Sequence, residues 1–224
     1  MKEMNLGLRE NLYKNFEKEI EFDLENNPFK NFLSSRYTMS ARLNVEGMWK
    51  YSKRHDCSFF VLSLGALMGA LNRIPAMRRR IVDGKVIEYN YIDAICPIMN
   101  EEHTVFKEIR IQSPQLFSSF IRWHENVEDN ILNVLEGVDS AFTIGPLERD
   151  ELNIANFSCI PWVDFDSITN ATASGNAIQP LITWGKVNED YEMTVSITVS
   201  HIFVNGLDLA QFYKYAQENF DCFE

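Results

Sequence analysis

The strongest alternation of apolar and polar residues lies between residues 191 and 199. From Met193 onward every second residue is apolar, and hydroxyl-bearing residues lie between them. A period of two predicts a strand with one buried face. Asn205-Gly206 ends this pattern, and apolar residues then recur at helical spacing from 207 to 220. Because Asp208 lies three positions after Asn205, we expect Asn205 to be the N-cap of this helix.

Elsewhere the patterns predict strands and helices in irregular alternation. Strands are predicted over residues 37–45, 92–99, 104–111 and 181–187, in a hairpin about Asp83-Gly84, and once or twice over 153–165, with a break at Pro161. Helices are predicted over residues 4–20, 46–54 and 58–72 and from Ser113-Pro114 to about 135, with a further helical turn within 29–37 and a loop over 170–176. This order favours an α/β fold of the α+β kind, a two-layer sandwich in which helices flank a mixed β-sheet. No repeat or linker divides the 224 residues, so we expect a single domain over 1–224.

Composition narrows the possible partners and the compartment. The net charge of −11 disfavours nucleic acid and anionic membrane surfaces, because both would repel the protein. The most apolar run, residues 59–71, is shorter than the ~20 residues of a membrane span, and residues 1–20 have no apolar signal core. The four cysteines have no C-x-x-C spacing, which is typical of reduced thiols in a cytoplasmic protein. The four histidines show no spacing of metal ligands, so we expect no metal.

His201 is the residue whose position suggests chemistry. It follows the strand of residues 191–199 directly and precedes the Asn205-Gly206 turn. An imidazole at this point can be held firmly and still reach a cleft, which suits proton transfer. A single histidine on an apolar face is also common at core and boundary positions, so local pattern leaves both roles open.

Four stretches of the chain, taken in order, resemble the chloramphenicol acetyltransferase family of coenzyme A-dependent acyltransferases. Their order and spacing agree from about residue 22 to the end of the chain. The stretches are Ser200-His201-Ile202-Phe203-Val204-Asn205-Gly206, similar to the family's His-His-x-x-x-Asp-Gly; Ser158-Cys159-Ile160-Pro161-Trp162-Val163-Asp164-Phe165, similar to Ser-x-x-Pro-Trp-x-x-Phe; Pro180-Leu181-Ile182-Thr183-Trp184-Gly185-Lys186, similar to Pro-x-x-Thr-x-Gly-Lys; and Arg78 with Asp83-Gly84, similar to the family's arginine hairpin.

The resemblance implies an acyltransferase that acts in antibiotic resistance, with acetyl-CoA as cosubstrate and chloramphenicol or a similar hydroxylated small molecule as acyl acceptor. It implies a homotrimer with active sites at the subunit interfaces. His201 would take the proton of the acceptor hydroxyl, which would attack the thioester directly and form no acyl-enzyme. Ser158 would donate a hydrogen bond to the oxyanion of the tetrahedral intermediate.

The same resemblance assigns weaker roles to six further residues. Thr183 would support the oxyanion through a water or line the cofactor channel, and Lys186 and Trp162 would contact the coenzyme. The acceptor pocket would be lined by Phe29, Tyr37 and Met99. A lysine on a strand is often merely solvated, and aromatic residues are common in any core, so structural roles stay open for these residues.

The chain departs from the family at two positions of the histidine motif and in one stretch near the N-terminus. Asn205 replaces the family's Asp and Ser200 replaces its first His, while residues 23–29 lack the Trp-x-Arg whose Arg pairs with that Asp. Joint loss of both partners of an ion pair can be close to neutral, which fits an enzyme that kept its base. It also fits a trimer that binds a ligand or partner without catalysis, and an acyltransferase for another acceptor stays open too. The sequence does not decide whether Arg36 or Arg42 replaces the missing Arg.

Overall fold

A computed structural model describes residues 17–104, 106–143, 152–171 and 178–223. The helices of these residues are α1 (Glu46–His55), α2 (Phe59–Asn72), α3 (Phe120–Glu136) and α4 (Gly206–Phe220). The strands are β1 (Glu17–Ile20), β2 (Arg36–Asn44), β3 (Arg79–Val82), β4 (Lys85–Tyr89), β5 (Asp93–Met99), β6 (Phe106–Ile111), β7 (Ile154–Cys159), β8 (Leu181–Val187) and β9 (Glu192–Ser200). Short 3₁₀ helices cover Pro75–Arg78 and Pro114–Leu116.

Six strands form a mixed sheet in the order β2-β9-β8-β7-β5-β6. The β5–β7 and β7–β8 pairs are parallel, and the other three pairs are antiparallel. A smaller antiparallel sheet has the order β1-β4-β3. α2 packs against the other three helices, and α4 also contacts β2. The predicted sandwich of a mixed sheet flanked by helices is therefore confirmed.

β9 is the strand from which the candidate site extends. It pairs with β2 over nine residues, from Arg36↔Ser200 to Asn44↔Glu192, and with β8 on its other side. The apolar face predicted from the alternation is fully buried. The hydroxyl face is buried too, and Asn170 donates to it at the Thr198 hydroxyl. The hydroxyls pair with those of β2, Thr198 with Thr38 at 2.7 Å and Ser196 with Ser40 at 2.9 Å.

α2 is the helix at the centre of the core. Twelve of its 14 residues are buried, and the Ser58 hydroxyl caps its N-terminus by accepting from the Val61 N–H at 3.3 Å. Gly65 faces α3, where a Cβ would overlap the ring of Trp123. The absence of a side chain at Gly65 therefore lets the two helices pack closely.

The hairpin predicted at Asp83-Gly84 is formed by β3 and β4. Both turn residues have positive φ, 51° for Asp83 and 75° for Gly84, as in the two-residue turns that suit the twist of paired strands. Arg78, just before β3, is buried and donates to the Asn90 carbonyl at 3.0 Å. Its guanidinium therefore bonds to the chain that follows the hairpin.

Two helical predictions near the N-terminus are wrong where the structure describes the residues concerned. Residues 17–20 form β1, which pairs with β4 through Lys18↔Glu88 and Ile20↔Val86; residues 4–16 of the predicted helix lie outside the described part of the chain. Residues 29–37 form turns and the start of β2 instead of a helical turn. In residues 17–20, pairing with a distant strand outweighs the local spacing of apolar residues.

Two predicted elements have different bounds in the structure, and one predicted loop lies mostly outside the described residues. The helix predicted from Ser113-Pro114 begins only at Phe120, because Ser119 supplies the N-cap and accepts from the Arg122 N–H at 3.3 Å. Of the predicted strand region 153–165, only β7 is a strand, and the chain leaves the sheet at Pro161. Residues 172–176, most of the loop predicted over 170–176, lie outside the described residues.

Candidate active site

His201 lies in the turn between β9 and α4, with its ring between two aromatic rings. The Phe29 ring stacks on the imidazole with centroids 3.9 Å apart and an interplanar angle of 8°. The Tyr37 ring lies on it at 4.6 Å and 31°. His201 itself is half-buried. The imidazole is therefore restricted in orientation and still accessible to a ligand.

Backbone and hydroxyl groups of β2 and the residue before it hold this turn. The His201 N–H donates to the Ser35 carbonyl at 2.8 Å, and the hydroxyls of Ser35 and Ser200 lie 2.9 Å apart. The Ser200 hydroxyl also accepts from the Ile202 N–H at 3.3 Å. Tyr37 donates its hydroxyl to the Val204 carbonyl at 3.2 Å. Ser200 therefore ties the turn to β2.

Asn205 ends the turn and starts α4. Its side-chain oxygen accepts from the N–H groups of Leu207 at 2.8 Å and Asp208 at 3.1 Å, while the Asp208 carboxylate accepts from the Asn205 N–H at 2.9 Å. This reciprocal pair confirms the capping box predicted from the sequence.

Arg36 and Arg42 are the two residues considered as replacements for the arginine of the family's Trp-x-Arg stretch. The guanidinium of Arg36 donates to the Gln179 carbonyl at 3.0 Å, and burial lowers the pKa of Arg36. The guanidinium of Arg42 pairs with Asp164 at 3.0 Å and Asp166 at 2.7 Å. Both groups are thus engaged away from Asn205, and Arg42 holds the segment that follows Trp162.

Ser158 and Thr183 lie on neighbouring strands, in the register Ser158↔Thr183↔Ser196. Thr183 is buried, and its hydroxyl donates to the Asn170 side-chain oxygen at 3.0 Å. The Asn170 amide in turn donates to the Thr198 hydroxyl at 3.4 Å. Within the described ranges no hydrogen bond engages the Ser158 hydroxyl, so this hydroxyl can donate to a ligand.

The structure does not bring Ser158 and His201 together within one chain. Ser158 lies on β7, two strands from β9, and its position in the register corresponds to Ser196 of β9. His201 lies five residues after Ser196 along the chain. With a rise of ~3.4 Å per residue and ~4.8 Å between strands, the two residues are about 20 Å apart. One acyl group cannot contact both side chains of the same chain.

Of the two residues expected to contact a coenzyme, Lys186 lies on β8 and Trp162 lies on the segment that follows β7. The Lys186 N–H donates to the Val163 carbonyl at 2.9 Å, which places Lys186 beside the segment that carries Trp162. Both side chains are exposed, and Trp162 contacts only the edge of His103 at a centroid distance of 5.3 Å among the described rings. A Cβ on Gly185 would lie 2.9 Å from the Val163 carbonyl oxygen, so glycine permits the crossing.

Met99 lies apart from the other two residues predicted to line the acceptor pocket. It ends β5, three strands from β9, and is 39% exposed. Phe29 and Tyr37, by contrast, both contact His201. One chain therefore assembles only part of the predicted pocket.

The cysteines and the possible metal ligands of the described residues are the remaining reactive groups. All four cysteines are free, and burial raises the pKa of Cys159, next to Ser158, to about 12. The Cys159 thiol therefore stays protonated at neutral pH, when only a thiolate would be a nucleophile. Within the described ranges no cluster of His, Cys, Asp or Glu could hold a metal ion, and no helix is long and apolar enough to cross a membrane.

Sequence reasoning missed three polar residues that shape this region. Asn27 donates to the Ile202 carbonyl at 3.0 Å, Ser35 accepts from the His201 N–H, and Asn170 joins Thr183 to Thr198. Asn27 precedes Pro28, and this dipeptide indicates only a turn. No motif marks any of the three, since each acts on a residue far away in the sequence.

Comparison with known proteins adds to this geometry. The sequence model of the chloramphenicol acetyltransferase family matches residues 17–217. Chloramphenicol acetyltransferase 3 of Escherichia coli is 21% identical over 194 residues, which cover 85% of this chain and 88% of that protein. A chloramphenicol acetyltransferase of Clostridium perfringens is 25% identical over 199 residues, which cover 85% and 86%. A solved chloramphenicol acetyltransferase structure aligns with a TM-score of 0.73 at 24% identity, over 92% of this chain and 100% of that one, and so has the same fold.

Proposed function

Because the chain belongs to the chloramphenicol acetyltransferase family and is an acetyltransferase, we propose that it transfers the acetyl group of acetyl-CoA to a hydroxyl of chloramphenicol or of a similar small molecule. The observation that carries this proposal is the half-buried imidazole of His201, held between the rings of Phe29 and Tyr37 at the end of β9. A core histidine would have no open side. His201 is instead half-buried, at the point where the family motif has its base.

The proposed reaction needs no covalent acyl-enzyme. The His201 imidazole takes the proton of the acceptor hydroxyl, and the oxygen attacks the thioester carbonyl carbon. When the tetrahedral intermediate collapses, the C–S bond breaks and the imidazolium returns the proton to the thiolate of coenzyme A. A general base contributes about 10²–10⁴-fold to such a step.

Ser158 is the proposed donor to the oxyanion of that intermediate. Its hydroxyl has no hydrogen-bond partner among the described residues, which fits the role, and one such donor is worth about 10²–10³-fold in rate. Because Ser158 and His201 of one chain are about 20 Å apart by strand register, the proposed site combines His201 of one copy with Ser158 of the next. A homotrimer with a site at each interface satisfies this requirement.

The remaining predicted residues fit the same arrangement. Trp162 and Lys186 offer an exposed indole and an ammonium to the coenzyme, whose adenine can stack and whose phosphates can pair with charge. Thr183 orders the hydroxyl face beside Ser158. Phe29 and Tyr37 would line the acceptor pocket together with Met99. We propose that the protein works in the cytoplasm, where acetylation of chloramphenicol would confer resistance.

The test is release of coenzyme A thiol from acetyl-CoA with a panel of hydroxylated acceptors that includes chloramphenicol. We expect acceptor-dependent release by the wild type and a loss of about 10²-fold or more in His201→Ala. His55→Ala is the matched control, because His55 is exposed on α1 and should leave the rate unchanged. Binding of chloramphenicol without thiol release would instead indicate a trimer that binds ligand without catalysis.

A further inference from the structure

The loop before β2 lies against the turn that carries His201, and the Asn27 side chain joins the two. The Asn27 amide nitrogen donates to the Ile202 carbonyl at 3.0 Å, across 175 positions of sequence. The Asn27 amide oxygen accepts from the Phe29 N–H at 3.0 Å. One side chain thus contacts both the turn of the proposed base and the residue whose ring stacks on that base.

A carboxamide makes both contacts because it carries a donor and an acceptor. Ile202 offers a carbonyl, which requires a donor, and Phe29 offers an N–H, which requires an acceptor. Aspartate would keep the bond from Phe29 but would direct a carboxylate at the Ile202 carbonyl. Alanine would make neither bond.

The other contacts to the turn do not duplicate this one. Ser35 and Tyr37 hold the backbone of the turn to β2, on the Tyr37 side of the imidazole. The Phe29 side has Asn27 as its hydrogen-bonded link to the turn in the described part of the chain. If that link is lost, Phe29 can move away from the imidazole while β2 stays paired with β9.

We propose that Asn27 is a positioning residue for His201, because its side chain holds the turn that carries His201 and the residue whose ring stacks on the imidazole in fixed positions. The proposal rests on the proposed role of His201 as the general base. Asn27 contacts neither the imidazole nor a substrate, so its effect passes through the backbone at Ile202 and the ring of Phe29. A neutral amide clamp also predicts that raising the ionic strength leaves it intact, whereas an exposed ion pair would be screened.

The experiment compares Asn27→Ala and Asn27→Asp with Asn26→Ala. Asn26 is the matched control, since it lies on the same loop and its amide donates only to Asp23, at 2.8 Å, among the residues described. Two readouts are taken, kcat and KM in the thiol-release assay, and the NMR signal of the His201 ring C–H in protein with labelled histidine. That signal is identified by its absence in His201→Ala.

In Asn27→Ala we expect kcat to fall about tenfold to hundredfold, the loss that a displacement of ~1 Å causes, with little change of KM for acetyl-CoA. The His201 C–H signal should lose the ring-current shift of the stacked Phe29. Asn27→Asp should show the same changes to a smaller degree, and Asn26→Ala should match the wild type in both readouts.

A kcat and a His201 signal that stay at wild-type values in both Asn27 variants would overturn the proposal, even if the variants melt at a lower temperature. If the wild type releases no thiol with any acceptor, the proposed function fails, but the NMR comparison still decides whether Asn27 positions His201. If Asn27→Ala does not fold, Asn27→Asp supplies the same comparison.

Discussion

Mixing two inactive variants should restore activity, because the proposed base and oxyanion donor of one site come from two chains. His201→Ala lacks the base and Ser158→Ala lacks the donor, so neither protein forms a complete site alone. In a mixed oligomer, a site is complete when the chain that supplies position 201 is the Ser158→Ala variant and its neighbour is the His201→Ala variant. With equal amounts and random assembly, about one quarter of the sites meet this condition.

The expected rate of thiol release by the mixture is large compared with that of either single variant. Ser158→Ala should retain about 10⁻² to 10⁻³ of the wild-type kcat and His201→Ala about 10⁻² to 10⁻⁴, so the mixture should exceed both at least about 25-fold. The two variants are refolded together from denaturant, assembly is checked by native mass spectrometry, and thiol release is measured. If the mixed oligomers are first purified through two different tags, about one third of sites are complete in a trimer and about one half in a dimer.

A second mixture serves as the control for this reasoning. Wild type refolded with the double variant His201→Ala/Ser158→Ala should give about one quarter of wild-type activity if sites lie between chains, and about one half if each chain holds its own site. A mixture of the single variants that stays at parental activity, although mixed oligomers are present, would refute the separation of about 20 Å inferred from the strand register.

Three further outcomes follow from the structure. Asn205→Ala removes the acceptor for two N–H groups of α4 and should lower the free energy of unfolding by about 1 kcal/mol, or the melting midpoint by about 2–4 °C. Asn205→Asp keeps the cap, so its free energy of unfolding should stay within about 0.5 kcal/mol of the wild type and its kcat should be unchanged. Calorimetry measures the stability of both variants, and the thiol-release assay measures kcat. Burial raises the pKa of Cys159 from 9.0 to about 12, so the unfolded chain releases this proton first and the free energy of unfolding should fall as pH rises through that interval. In Cys159→Ala, the free energy of unfolding from denaturant titrations should fall less steeply with pH, by up to about 1.4 kcal/mol per pH unit. An unchanged dependence on pH would contradict the raised pKa of Cys159. Gly185→Ala should push the Val163 carbonyl, 2.9 Å from the new Cβ, and raise KM for acetyl-CoA more than it lowers kcat; an unchanged KM would show that this segment does not contact the coenzyme.

The sequence predicted best the segments in which local pattern and distant contacts agree. β9, the turn and α4 were predicted together, because the alternation of period two and the Asn205–Asp208 cap are both local signals that the sheet and helix packing reinforce. The match to a family then identified His201 and Ser158 as candidates, whereas periodicity alone left His201 undecided between core and catalysis.

The remaining features depend on contacts that no local pattern contains. Residues 17–20 become a strand because β4 lies beside them, and α3 starts late because Ser119 caps it instead of Ser113. The bond from Asn27 to Ile202 spans 175 positions and involves a backbone carbonyl, which every residue has. The sequence therefore could not single out Asn27 or predict how far apart His201 and Ser158 lie.

The burial of α2 has a consequence for which substitutions the chain can tolerate. Most surface helices accept polar residues on one side, so tolerance along them rises and falls every three to four positions. Twelve of the 14 residues of α2 are buried, so these residues include no solvent-exposed face of the helix. In saturation mutagenesis, charged substitutions should therefore be destabilising at every position from Val61 to Asn72. In α4, which has one solvent-exposed side, they should be destabilising only at every third or fourth position.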